Sequence, residues 1–314
     1  MEMGQTPDTY LFIINPKAGR KDSNELTKQI MTAFSGKPGA PACEVIWTDR
    51  AGHATELAAL FAGEKGSSGV VFACGGDGTA REVANGLVGT AAAMSILPVG
   101  TANDFARAVL PGLDTAAILA RAEKPVIHPI DVIMANGEIC LNIASLGFDT
   151  RVQRRASKMN NRCRFLGGLS YPLAILLTLF GQRQYRMHYR FEIVDDSGAI
   201  GVVEQDATYI LAAICNGRYY GGGFNPAPQA SQEDGLLDIC LVDSLPLREI
   251  LPLIPKYKKG THIGHPAVHC WKAKAGQIRF QTERLLGNFD GEIFESETLD
   301  FQVMPKALRF AFYR

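Results

Sequence analysis

Val70-Val71-Phe72-Ala73-Cys74-Gly75-Gly76-Asp77-Gly78-Thr79-Ala80-Arg81-Glu82-Val83-Ala84-Asn85-Gly86-Leu87 joins an apolar run to a helical pattern through a cluster of glycines. The small and apolar residues before the glycines read as a buried strand, and Val83 and Leu87 among small residues read as the helix that follows. Three glycines in four positions let backbone N–H groups approach a ligand, and the helix N-terminus behind them favours negative charge. The turn is therefore an anion cradle. It lacks the Lys and Ser/Thr that end a Walker loop and carries Asp77 in its middle instead. A carboxylate beside phosphate serves with a metal between them or as a proton acceptor. The plainer reading is a tight strand-to-helix turn with Asp77 as its cap.

Working outward, Tyr10 to Ile14 is an apolar strand that runs into Asn15-Pro16-Lys17-Ala18-Gly19-Arg20-Lys21, a second loop suited to phosphate or to plain solvation. Asp22 with Glu25 resembles a capping box for a helix over 25–34. Cys43 to Thr48 reads as a strand, and Ala54 to Ala62 as a helix. The βαβα order predicts a doubly wound parallel sheet, whose ligands lie at the carboxyl ends of strands. Asn15 to Gly19, Thr48 to His53 and Gly75 to Thr79 all fall there. Ser95 to Arg107 repeats the pattern of strand, turn and helix start, with Thr101 or Asn103 as the expected cap.

From Val126 onward the runs become strand-like: 126–134, 139–144, 185–194, 208–215, 236–242, 268–273, 277–281, 299–303 and 308–313. Turns such as Asp195-Asp196-Ser197-Gly198 separate them, as in a sandwich or barrel. The expected division is a nucleotide-type α/β domain over 1–134 and a β-sandwich over 135–304, with residues from about 305 to 314 able to return to the first.

Charge is balanced, with 32 Lys plus Arg against 32 Asp plus Glu, so no global field recruits nucleic acid or membrane. A hydrophobic fraction of 46% with 20% charged residues fits a globular chain with a substantial core. The seven cysteines show no zinc spacing, and Cys74, Cys215 and Cys240 lie in apolar runs, which suits reduced thiols and a cytoplasmic protein. Met1 to Thr9 has no signal pattern. One local patch stands out: Arg151, Arg154, Arg155, Lys158, Arg162 and Arg164 precede the apolar segment 165–180, which is too short to span a bilayer. A basic run beside an apolar helix suits an anionic lipid surface, and equally a helix packed internally with a solvated flank.

Read together, these blocks resemble the diacylglycerol kinase catalytic-domain family, which includes soluble bacterial lipid kinases and the sphingosine and ceramide kinases. The resemblance covers nearly the whole chain. It rests on Asn15 to Gly19, Gly75 to Thr79, Leu97 to Ala106, Asn142 to Asp149, Gly221 to Pro228, Asp234 to Asp238 and Asp290-Gly291-Glu292, in the family's order. It implies an N-terminal ATP-binding domain of the NAD-kinase and phosphofructokinase kind, a C-terminal β-sandwich for the lipid, and a reaction in the cleft between them. Nucleotide contacts carry over to Asn15, Pro16, Lys17, Ala18, Gly19, Thr48, Gly75, Gly76, Asp77, Gly78, Thr79, Ala80, Arg81 and Thr101. Glu292 takes the role of the base that accepts the lipid hydroxyl's proton, with Asp290 orienting metal or hydroxyl and Asp77 holding Mg²⁺ at the phosphates. A structural Mg²⁺ maps to Ser231, Asp234 and Leu236. Ala18 stands where the family often has Ser, and Arg81 where it often has Asn or His.

The implied activity is ATP-dependent phosphorylation of a lipid hydroxyl, diacylglycerol to phosphatidic acid, as a step of phospholipid biosynthesis. The implied partners are a membrane-resident lipid met peripherally and no nucleic acid, with a homodimer left open. Two rivals remain at this point: a soluble-metabolite kinase of the NAD kinase kind, with Asp77 as the base, and a non-catalytic lipid-binding protein on a kinase fold.

Overall fold

The computed structural model describes residues 7–19, 22–35, 37–162, 169–181, 183–281 and 284–313. Arg20, Lys21 and the run from Arg164 to Gly168 lie outside them, as does the Arg162 side chain. The chain divides into two compact units, Met1–Val132 with Met304–Arg314, and Ile133–Val303.

The first unit is built on β1 (Thr9–Ile14), β2 (Ala42–Trp47), β3 (Gly69–Gly75) and β4 (Ala93–Pro98). All pair in parallel, with β1 between β2 and β3, and β3 between β1 and β4. Every residue of β3 is buried, as expected of a strand covered on both faces. The covering helices are α1 (Ser23–Phe34), α2 (His53–Lys65), α3 (Asp77–Leu87), α4 (Asp104–Val109) and α5 (Thr115–Arg121). Helix α2 packs on α3, and α1 on α5. Asp22 does cap α1, accepting the amide of Asn24 at 2.9 Å.

The core of this unit is aromatic. Phe12 stacks on Phe72 with ring centroids 4.4 Å apart, and Tyr10 meets Phe34 edge-on at 5.7 Å. The chain's last strand closes the sheet, pairing Arg309 and Phe310 in parallel with Ala93 and Met94. Tyr313 then donates its hydroxyl to Ser95 at 2.8 Å, a hydrogen bond within the core.

The second unit takes β5 (Val126–Ala135) at its residue 133 and continues with β6 (Glu138–Cys140), β7 (Ile143–Gly147), α6 (Phe148–Arg162), α7 (Ser170–Leu179), β8 (Tyr185–Val194) and β9 (Ile200–Cys215). Then come β10 (Leu237–Asp243), α8 (Leu247–Lys259), β11 (Val268–Phe280), β12 (Leu285–Phe289), β13 (Glu292–Ser296) and β14 (Thr298–Phe312), which leaves this unit at residue 303. Strand β8 pairs with β9, β9 with β10, β10 with β11, and β11 back to β8, all antiparallel. The long strands β9 and β11 thus serve two layers, which makes the expected β-sandwich.

The sequence divides β11 at residues 274–276, whereas the strand runs through them. Its register shifts between Ala273 and Ala275, and that bulge breaks the alternation that would mark one strand. Helix α8 is also unannounced in the sequence, because Pro252 and Pro255 lie inside it. Burial of Ile250, Leu253 and Tyr257 holds it together despite the two missing amides.

Candidate active site

In the first unit the carboxyl ends of β1, β3 and β4 are knitted into one surface. Gly100 and Val99 donate their amides to the carbonyl of Gly75 at 3.1 and 3.2 Å. A Cβ on Gly100 would lie 2.4 Å from the Cα of Gly76, so only glycine allows these loops to touch. Gly19, with φ of 66°, stands against the carbonyl of Val99, where a Cβ would come within 1.9 Å. Asn15 donates to the Thr79 hydroxyl at 3.1 Å and accepts the Lys17 amide at 2.9 Å. Thr48 joins the same edge through its amide, bonded to the Ile14 carbonyl at 2.9 Å. Asn15 to Gly19, Thr48, Gly75 to Arg81 and Thr101 are thereby placed along one edge of one sheet, as the sequence expects.

Asp77 departs from expectation. It caps neither its own turn nor helix α3. Its carboxylate reaches across to α4, accepting the amides of Phe105 at 2.9 Å and Asp104 at 3.3 Å. Asn103, expected as a cap, instead adopts the left-handed conformation and makes no side-chain cap bond. Burial pushes the Asp77 carboxyl above its ordinary range, while the two amides and Arg107 oppose the shift. Both oxygens therefore help to hold two loops in register.

In the second unit, Asp290 and Gly291 form a two-residue turn between β12 and β13, both with positive φ, the geometry of an Asp-Gly hairpin. The Asp290 carboxylate accepts three backbone amides, from Leu141 at 2.6 Å, Asn142 at 2.9 Å and Ile143 at 3.1 Å. These bonds anchor the turn. Glu292, the first residue of β13, is exposed beside the turn. Asn288 and Gln153 complete the clamp. Asn288 bonds the Ser145 and Thr150 hydroxyls, and Gln153 on α6 donates to the Gly291 carbonyl.

Residues of α6, α7, α8 and the strands they cover line an apolar pocket. Phe148, Val152, Ile175, Phe224 and Leu253 are among its walls. One carboxylate faces it. Asp149 is 7% exposed, and its Oδ1 accepts the Thr150 amide at 2.8 Å. Burial pushes this carboxyl up to about 6, partly opposed by the Ser145 hydroxyl, the Thr150 amide and the Tyr220 hydroxyl. Tyr220 and Tyr257, whose hydroxyls are 3.2 Å apart, stay protonated because burial raises both phenols. Asp149 carries no assigned role in the sequence reading, although the block Asn142 to Asp149 contains it. Its signal was a lone acid closing an otherwise apolar run.

At the residues expected to hold a structural metal, the structure places an ammonium beside the carboxylate. Asp234 accepts the Leu236 amide at 3.1 Å on one oxygen and the Lys272 ammonium at 2.7 Å on the other. Lys272 also bonds Asp238 at 3.0 Å, and the Ser231 hydroxyl accepts the Glu233 amide at 3.3 Å. The positive charge at this turn is the ammonium of Lys272. Among the described residues no group of three or more His, Cys, Asp or Glu is placed to hold a metal.

The profile of the diacylglycerol kinase catalytic domain matches residues 9–135, and that of the YegS C-terminal NAD kinase beta sandwich-like domain matches residues 142–312. This chain is a member of the diacylglycerol kinase-like family of lipid kinases. A probable lipid kinase YegS-like of Pseudomonas aeruginosa is 33% identical over 308 residues, covering 96% of this chain and 93% of the relative. A probable lipid kinase YegS of Escherichia fergusonii is 34% identical, covering 80% of this chain and 81% of its own. Among solved structures, a diacylglycerol kinase from Bacillus anthracis shares the fold with a TM-score of 0.67 at 23% identity, covering 98% of this chain and 97% of that one. An NAD kinase from Archaeoglobus fulgidus in complex with ATP shares it with a TM-score of 0.51 at 12% identity, covering 96% and 93%. The lipid kinase family thus accounts for both halves of the chain.

Proposed function

We propose that this lipid kinase transfers the γ-phosphate of ATP to the hydroxyl of a membrane lipid, with diacylglycerol as acceptor and phosphatidic acid as product. The observation that carries the reading is the apolar pocket whose lining includes the buried Asp149 carboxyl. The walls of this pocket are almost wholly apolar and suit hydrocarbon. The carboxylate oxygen accepts a hydrogen bond from a polar group of the lipid. A soluble, phosphate-rich acceptor has no use for such walls.

Phosphoryl transfer asks the protein mainly to position groups and to neutralise charge. In the first unit, amides of the Gly75 to Thr79 turn receive phosphate, with Lys17 on the neighbouring loop supplying positive charge. A magnesium ion bound with the nucleotide would supply charge neutralisation at the phosphates. In the second unit, Glu292 takes the proton from the lipid hydroxyl as its oxygen bonds to the γ-phosphorus and ADP leaves. Asp290 is a positioning residue, fixing the turn through three amides. The same reading puts the enzyme at a membrane surface, as no described helix is long and apolar enough to cross one.

Phosphate transfer from ATP to diacylglycerol, phosphatidylglycerol and a sphingoid base in mixed micelles, and to NAD in solution, tests the proposal. Lipid-dependent turnover with diacylglycerol foremost is expected. Turnover of NAD alone, or ATP hydrolysis indifferent to lipid, would sink it; complete inactivity would favour a binding protein.

A further inference from the structure

Strands β10 and β11 run antiparallel and set Cys240 directly opposite Cys270. Side chains opposite each other in such a pair share one face of the sheet, with Cα atoms about 4.5–5.5 Å apart. A disulfide spans Cα separations of about 4.4–6.8 Å, so this register lies within its reach. Cys215, on the other neighbour of β10, is out of register, because it pairs with Asp238 while Cys240 pairs with Ala213. That diagonal is about 7–8 Å, too long for the same bond. The two opposed thiols differ in access: Cys270 is exposed, whereas Cys240 is 1% exposed. The Cys240 thiol donates to the Cys270 sulfur. That bond holds Cys270 below the ordinary thiol range, against burial and the nearby Asp238, and together with burial it pushes Cys240 well above it. A thiol reacts as its thiolate, which makes Cys270 the nucleophile of the pair.

Cys240 is also tied to the acceptor pocket. Val242, two residues further along β10 and therefore on the same face, is one of the pocket's walls. His262 follows helix α8 and is fully buried, with its Nε2 3.7 Å from the Cys240 sulfur and 3.1 Å from the carbonyl of Pro226. Its ring centroid lies 4.6 Å from that of Tyr257, which belongs to α8 and lines the pocket as well. Through one imidazole, the Cys240 sulfur thus reaches the helix that walls the pocket.

We propose that Cys240 and Cys270 form a reversible oxidation site, at which hydrogen peroxide converts the opposed thiols into a cross-strand disulfide and thereby detaches Cys240 from His262. The Cys270 thiolate attacks one peroxide oxygen, so that an S–O bond forms, the O–O bond breaks, and the departing hydroxide takes up the thiol's proton and leaves as water. The Cys240 sulfur then attacks the sulfenic acid on Cys270. An S–S bond forms, the S–O bond breaks, and the Cys240 proton leaves with the hydroxide as a second water. The two thiols together lose two electrons and two protons, and the peroxide gains them. A dithiol reductant reverses the change by exchange. The new bond draws the Cys240 sulfur toward β11 and takes its hydrogen, so the contact with His262 is lost and α8 is held less firmly. Oxidation and its effect on α8 are read without nucleotide or lipid, so this site stands or falls independently of the lipid kinase reading.

The test treats the full chain with hydrogen peroxide, alkylates the remaining thiols and maps linked peptides by mass spectrometry. A peptide pair joining Cys240 to Cys270 is expected, and dithiothreitol should separate it. In Cys240→Ser the sulfenic acid on Cys270 has no partner and should be captured by dimedone, whereas in Cys270→Ser the buried Cys240 should stay unlabelled. The tie to α8 is read by hydrogen exchange over residues 247–262. Oxidation of wild type should speed that exchange by roughly three- to tenfold, the range for losing one hydrogen bond that opposes local opening. His262→Gln, which has already lost the imidazole, should exchange at one rate whether reduced or oxidised. The mapping on wild type needs no substitution, so it decides the matter even where a variant fails to fold. The proposal is overturned if Cys240 and Cys270 stay unlinked to each other after peroxide, whatever else is oxidised. It is equally overturned if the disulfide forms and exchange over 247–262 changes by less than about twofold.

Discussion

Replacing Asp149 by Asn removes a charge that the fold buries against its own interest. In the folded protein this carboxyl titrates at about 6, against 3.8 for its ordinary value. Between those pH values the folded state holds a proton that the unfolded state has released, so stability falls as pH rises through the window. The slope approaches 1.4 kcal/mol per pH unit and the total is about 3 kcal/mol, fully felt above pH 6. Asn keeps an oxygen to accept the Thr150 amide and carries no charge. D149N should therefore be more stable than wild type at pH 7 and converge with it near pH 4. The second unit spans about 170 residues, for which 1 kcal/mol shifts Tm by roughly 2–4 °C, so the gap at pH 7 is on the order of 6–12 °C. Trp271 on β11 reports this unit in a Trp47→Phe background, since these are the chain's two tryptophans. A short-chain lipid alcohol that donates to the Asp149 carboxylate should stabilise wild type more than D149N at pH 7, narrowing the gap. Parallel Tm curves for the two proteins from pH 4 to 7 would refute both the burial of a charge here and the carboxylate's role in the cavity.

Glu292→Gln should leave nucleotide affinity unchanged and lower kcat on the order of 10²-fold, the usual cost of losing a general base; a rate within twofold of wild type removes Glu292 from that role. Asp290→Ala forfeits three amide bonds to a charged acceptor, on the order of 4 kcal/mol, and should lower Tm as well as activity. An unaltered Tm would contradict the anchoring duty. Lys272→Met should also lower Tm, and neither Mg²⁺ nor EDTA should move the Tm of wild type; stabilisation of wild type by Mg²⁺ would mean that a metal, not the ammonium, holds Asp234. Gly100→Ala, whose Cβ would sit 2.4 Å from the Cα of Gly76, should abolish nucleotide binding measured by calorimetry while the Trp271 transition stays in place.

Sequence alone determined the architecture of the first unit and the loops it gathers. Parallel strands are buried on both faces, so their apolar runs and the glycines after them are written locally, and the sheet's winding then brings every strand's carboxyl end to one edge. The basic stripe of α6 was likewise legible, because helical spacing is a local property. What side chains do across distance was not. Asp77 reads as a ligand or the cap of its own helix, and only the approach of the Gly100 loop makes it the cap of α4. Asp290 reads as half of an acidic pair, yet its oxygens are taken by amides about 150 residues earlier in the chain. Lys272 stands 38 positions from Asp234, with nothing in the motif around Asp234 to announce it. Asp149 became conspicuous only when helices α6, α7 and α8 closed apolar walls around it. Hydrogen bonds and burial act between neighbours in space, and for these residues the neighbours are chosen by the fold of the whole unit rather than by adjacent sequence.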